Sequence, residues 1–275
     1  MLLSWRDAVY IAVCPDRVIL ARVSGRWRPQ VTARQVVRCA GQGSDWKPCL
    51  DALARTLLDA RWKDADATVM VSSHFVRYAV VPWSDALAAE DEKLAWVRHH
   101  FGELYGAAVA NAEYRWSEDG PDAPCVASAV EPEFMDQIRR AFDGTSLRLR
   151  SIQPYLMTVF NRWRRRITGN AAWLLAAEPG RVCLASFARG RWHSMTSRAM
   201  GTDWQAELEV LLDRQRVLAE DATQPDTVFA YVPHIPKFEI PRWNAAPLQV
   251  LTPRALNGFS PHTDAEYAMA LAGVA

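Results

Sequence analysis

The apolar positions of the chain first fall in short strand-length runs and then switch to helical spacing, and this change happens twice. Residues 9–14 and 18–23 are apolar runs joined at Pro15-Asp16, and Ser24-Gly25 makes the next turn. Residues 30–39 alternate, with Val31, Ala33, Val36 and Val37 apolar among polar neighbours. Three strands on two short turns predict an antiparallel meander. From residue 46 to 62 the period lengthens: Leu50, Leu53, Leu57 and Leu58 share one helical face, while Asp51, Arg55 and Asp59 look to solvent. Residues 67–72 are short and nearly all apolar, the kind of strand buried on both faces of a sheet. The order is β-β-β-α-β.

Residues 74–82 continue as an extended segment ending at Pro82. Ser84 or Asp85 would cap the next helix, 90–105, whose inward residues are Leu94, Val97, Phe101 and Leu104. Strands at 112–116 and 125–130 flank a Gly/Pro/Asp turn, a helix follows to about residue 142 with Pro132 in its first turn, and a strand over 147–152 leads into a helix over 155–167. At Gly169-Asn170 the pattern restarts. Strands at 172–177, 181–187 and 192–198, a helix at 204–218 with Leu208, Leu211 and Leu212 inward, and a buried strand at 227–232 repeat the β-β-β-α-β order. The copies share order rather than residue identity.

A duplicated lobe of this kind is the plan of the ribonuclease-H-like actin, sugar-kinase and Hsp70 superfamily. The sequence most resembles its PilM branch of type IV pilus proteins and the cytoplasmic part of the GspL family of type II secretion proteins. The resemblance is carried by Tyr10-Ile-Ala with Arg22-Val23, by the run from His74 to Trp83, by Glu92 to Arg98 with Phe101 and Tyr105, and by a small-residue closing helix at 264–272. It implies a mixed α/β duplicated actin-like fold, with a first lobe over 1–168, an inserted subdomain over about 80–120, and a second lobe over 169–275. It also implies docking of the cytoplasmic tail of a bitopic, PilN-like inner-membrane protein in a groove between the lobes. His74, Phe75, Arg77, Tyr78 and Trp83 would line the first-lobe side. A hexameric assembly ATPase is a further implied contact.

In nucleotide-using members of that superfamily the first hairpin of each lobe carries an Asp-x-Gly turn, whose glycine lets backbone N–H groups reach phosphate. Here the first turn reads Cys14-Pro15-Asp16, with no glycine and a proline that lacks an N–H. The second keeps Glu178 and Gly180 around Pro179, and the adenosine turn offers only Gly258. Asp16, Glu178, Gly180 and Gly258 are thus vestigial positions, the chain is expected to be a non-catalytic scaffold, and no cofactor is expected. The rival reading is a divergent actin-like ATPase or small-molecule kinase.

Composition narrows the partners. Lys and Arg total 32 against 31 Asp and Glu, a formal charge of +1, which speaks against nucleic acid as the main partner. The N-terminal residues do not read as a signal peptide, no stretch approaches the roughly 20 apolar residues needed to cross a bilayer, and the five scattered cysteines read as reduced thiols of a cytoplasmic protein at most peripheral to the membrane. Arg162, Arg164, Arg165 and Arg166 allow two readings: cations complementing a helix C-terminus, or a contact for an acidic partner or anionic headgroups. His99-His100 read as an exposed helix face rather than metal ligands, since neighbouring helical residues point apart.

Overall fold

The computed structural model describes residues 6–274 except 26, 42, 83–86, 88, 118–122, 220–222, 236–237 and 239–244. The opening meander is β1 (Ala8–Val13), β2 (Arg17–Ser24) and β3 (Gln30–Arg38). Helix α1 (Lys47–Leu57) carries a proline in its first turn, where a missing N–H costs no intrahelical bond, and buries Leu50, Leu53 and Leu57. The helix expected to reach residue 62 stops at Leu57 because Asp59 takes an extended conformation and accepts the Arg61 N–H, starting a separate 3-10 turn, Ala60–Trp62.

Strand β4 (Asp66–Val71) follows, then β5 (Val76–Val81), α2 (Glu90–Tyr105), β6 (Glu113–Ser117), β7 (Cys125–Val130) and α3 (Pro132–Arg140). Next come β8 (Arg148–Pro154), α4 (Tyr155–Trp163) and the second meander, β9 (Ala171–Glu178), β10 (Arg181–Ala188) and β11 (Arg191–Ala199). Helix α5 (Trp204–Leu218), β12 (Thr227–Tyr231) and β13 (Leu248–Val250) complete it.

The two five-stranded sheets have matching plans, β3-β2-β1-β4-β8 and β11-β10-β9-β12-β13. In each, the meander is antiparallel and the strand after the helix returns parallel to the first strand of its copy. That return explains the all-apolar runs: β9 is buried along its whole length, lying between β10 and β12. Burying Leu174 and Leu175 there contributes about 1.5–3 kcal/mol each. A three-stranded antiparallel sheet, β5-β7-β6, packs Ala79, Val81, Ala127 and Ala129 against Val97 and Phe101 of α2.

The chain divides into two compact units that interleave in sequence: residues 6–75, 133–162 and 252–274 form one, and residues 76–132 and 163–251 the other. The closing segment thus packs with the first sheet, where Phe259, Ala268, Leu271 and Val274 meet Ala21, Val23 and Val31. It is not the expected single helix but two 3-10 turns, Ala265–Tyr267 and Ala270–Gly273. Asp264, placed to cap such a helix, instead accepts the Ser260 N–H at 2.8 Å and pairs with Arg34 at 2.6 Å. The short strand β13 was not foreseen in its proline-broken stretch.

Candidate functional site

The two hairpin turns at which the superfamily resemblance would seat phosphate differ in what they offer. In the first, the Cys14 N–H is closed onto the Arg17 carbonyl at 3.0 Å, and Pro15 has no N–H to present. The Pro15 carbonyl accepts the Cys49 thiol at 3.2 Å. Gly41 lies so close that a Cβ there would clash with the Pro15 carbonyl oxygen and sit 2.6 Å from the Asp45 carbonyl oxygen. The Asp16 carbonyl accepts the Cys39 N–H at 2.7 Å, while its carboxylate, half-exposed, pairs with Arg17 and Arg38. The turn is therefore wrapped by its own unit: the Cys14 N–H is already paired, Pro15 has none to offer, and the Pro15 and Asp16 carbonyls are engaged by Cys49 and Cys39. Burial, reinforced by the neighbouring Cys39 thiol, holds the Cys49 thiol well above its usual range and keeps it protonated. All five cysteines are free thiols, and Cys14 contacts the Met269 thioether at 3.4 Å.

In the second turn, Pro179 and Gly180 close the hairpin between Glu178 and Arg181, which pair across it. Gly180 has φ +76°, the left-handed value that the third position of a type II turn requires. Glu178 is buried and lines a cavity of about 200 Å³ together with, among others, Arg181, Met200, Trp204, Leu208, His234 and Phe238. Trp204 and Phe238 stack with ring centroids 5.6 Å apart. An apolar cavity carrying one carboxylate, one guanidinium and one imidazole can hold a small amphipathic group, and it lies wholly within the second unit. Sequence reasoning placed Glu178 but missed this cavity, because its walls come from the start of α5 and from the stretch after β12, far from the hairpin in sequence.

Gly258 has a different duty from phosphate binding. At φ +80° it lets the 256–259 turn lie against β3, where a Cβ would clash with the Val31 carbonyl and where Val31 donates its N–H to Asn257 at 2.8 Å. Of the five residues expected to line a groove, Phe75 is buried against Phe134 at 4.9 Å between ring centroids and Tyr78 is buried in β5. His74 and Arg77 are half-buried, and Trp83 lies outside the described residues. Helix α4 ends at Trp163, so Arg162 stands in its last turn while Arg164, Arg165 and Arg166 follow in an exposed turn, with Arg166 over the Trp163 ring at 5.4 Å. Among the described residues no group of three or more His, Cys, Asp or Glu side chains could hold a metal ion, and no helix is long and apolar enough to cross a membrane.

No protein-family model matches the sequence, and no curated protein matches it either. Solved structures do. A chain of the PilM-PilN type IV pilus biogenesis complex superposes over 96% of both chains with a TM-score of 0.68 at 12% identity. The cytoplasmic domain of EpsL, an inner-membrane component of the type II secretion system of Vibrio cholerae, covers 98% of this chain and 94% of its own, with a TM-score of 0.58 at 9% identity. A Bacteroides thetaiotaomicron protein with an actin-like ATPase fold covers 82% of each chain, with a TM-score of 0.56 at 9% identity. The duplicated β-β-β-α-β sheets and these superpositions agree: the chain has the actin-like fold, in the form also seen in the PilM complex and in cytoplasmic EpsL.

Proposed function

We propose that this chain is a non-catalytic actin-like scaffold of a pilus-assembly or type II secretion-like platform, and that it holds the cytoplasmic tail of a single-pass inner-membrane protein. The observation that carries this reading is the superposition over 96% of both chains on a protein solved within the PilM-PilN complex. The first hairpin supports it, since Pro15 lacks an N–H and the Cys14 N–H is already closed onto the Arg17 carbonyl. A tail bound in extended form would draw on backbone hydrogen bonds and a few side-chain pockets. His74 and Arg77, the two half-buried members of the run from His74 to Trp83, are the residues through which we would have the tail read. The test is co-purification of the chain with a single-pass membrane protein encoded beside it. Capture is expected with the cytoplasmic tail present and lost on its deletion, and capture that ignores the tail would contradict the reading.

A second reading, residual nucleotide binding, is favoured by one observation, the cavity beside Glu178. Mg-ATP is expected to leave the thermal unfolding midpoint unchanged. A rise in midpoint that disappears in Glu178→Ala would establish the rival.

A further inference from the structure

Helix α5 is apolar on two opposite sides. Its inward face carries Leu208, Leu211 and Leu212, all buried in the core of the second unit. Its outward face carries Val210 and Val217, 68% and 79% exposed, with the exposed Ala206 on the same line. These positions, at i, i+4 and i+11, form a narrow stripe along a helix. Leu218 is also exposed, so three of the seven exposed large apolar residues among those described lie on this one helix. Apolar residues scattered singly are ordinary on a surface, whereas a stripe calls for a partner. Valine brings the helix no local benefit either, since a β-branched side chain there loses rotamer freedom.

The charges beside the stripe indicate which partner. Glu207 and Arg214 stand seven residues, two helical turns, apart and so share one edge of it, with Val210 three residues after the one and four before the other. Both are exposed. Arg214 makes no ion pair among the described residues, and the Glu207 carboxylate is held in place by accepting the Gly201 N–H at 3.0 Å. With a second copy of the helix set antiparallel about a two-fold axis at Val210, like edges of the two helices lie side by side. Arg214 then meets Glu207 of the second copy, and the reciprocal pair forms on the other side of the axis. Along the stripe Val210 meets its own copy. Each Ala206 falls between Val210 and Val217 of the other helix, a small side chain between larger ones, as close helix packing favours. On the opposite edge Asp213 faces Ala206, so no like charges meet. An unrelated partner would not call for opposite charges spaced evenly about Val210; a second copy of this chain does.

We propose that the outer face of α5 is a self-association surface through which two copies of this chain pair antiparallel. One helix against one helix covers less than the about 800 Å² per partner of a standard interface, so the dimer is reversible and concentration-dependent. This stands apart from the tail-binding reading, since it concerns a different segment and a different partner.

The test is sedimentation equilibrium of the full chain over a range of concentrations, where a monomer–dimer equilibrium is expected. Arg214→Glu and Glu207→Arg should each raise the dissociation constant about tenfold or more, because like charges then face each other in both contacts. An equimolar mixture of the two variants should dimerise again, since in the mixed pair both contacts join opposite charges. Val210→Cys should gain an interchain disulfide on oxidation that the wild-type chain does not form. Val217→Cys should not, because its two copies lie about 20 Å apart along the antiparallel helices. Arg214→Glu and Val210→Cys should keep the wild-type unfolding midpoint, as both side chains are exposed. A wild-type chain that stays monomeric, dimerisation untouched by either charge reversal, a mixture of folded variants that fails to pair, or cross-linking through Val217→Cys would each overturn the proposal.

Discussion

Phe75 shows how far one residue can depart from the duty its sequence neighbourhood suggests. It sits in the run from His74 to Trp83 that resembles a partner-lining segment, yet its ring packs on Phe134 and only 8% of its surface is open. Phe75→Ala should therefore act on stability, lowering it by about 3 kcal/mol through the cavity it leaves, as read by denaturant unfolding. His74→Ala and Arg77→Ala, at half-buried positions, should leave the unfolding midpoint nearly unchanged and weaken tail binding instead. Residue identity alone could not separate these cases, because Phe75 lies before β5, which begins at Val76, and its burial comes from contact with Phe134, far away in the sequence. Glycines tell the same story. Gly258 looks like the relic of an adenosine turn in the sequence, and in the fold it is the point of close approach to β3.

At the level of elements, the meanders, α2, α5 and the strand after each helix were legible, since long periodic segments bounded by Gly and Pro turns carry their own signal. The ends were less so. Helix α1 stops early where Asp59 begins a new turn, and the closing segment is broken into 3-10 turns because Asp264 is engaged elsewhere. β13 escaped notice, for a three-residue strand among prolines has too few positions to show a period. The Asp264 contact also makes a pH prediction. Its carboxylate accepts the Ser260 N–H and pairs with Arg34, which together hold it below its ordinary value of 3.8. A carboxylate depressed in the folded state stabilises above its unfolded pKa and loses that contribution as pH falls through the folded value. Asp264→Asn should therefore be less stable than wild type by about 1 kcal/mol at neutral pH. The two unfolding curves should converge below pH 3.8, the carboxylate's ordinary value.

For the molecule as a whole, the duplication was legible from order alone, while the interleaving of the two units was not. Residues 252–274 return to the first sheet and residues 76–132 group with the second, and both associations depend on contacts between segments far apart in sequence. The cavity beside Glu178 was hidden for the same reason, being assembled from a hairpin, a helix start and a later segment. The functional account rests on a first hairpin turn that is wrapped by Gly41, Cys39 and Cys49, and on a fold shared over 96% of both chains with a chain of the PilM-PilN complex. Its central claim is that the chain binds a membrane protein's tail without nucleotide. Calorimetric titration of the purified chain with that tail as a synthetic peptide, with and without Mg-ATP, tests this most directly. The account predicts saturable one-to-one binding of the same affinity in both conditions and no heat from Mg-ATP alone; absence of peptide binding, or binding that appears only when Mg-ATP is present, would contradict it.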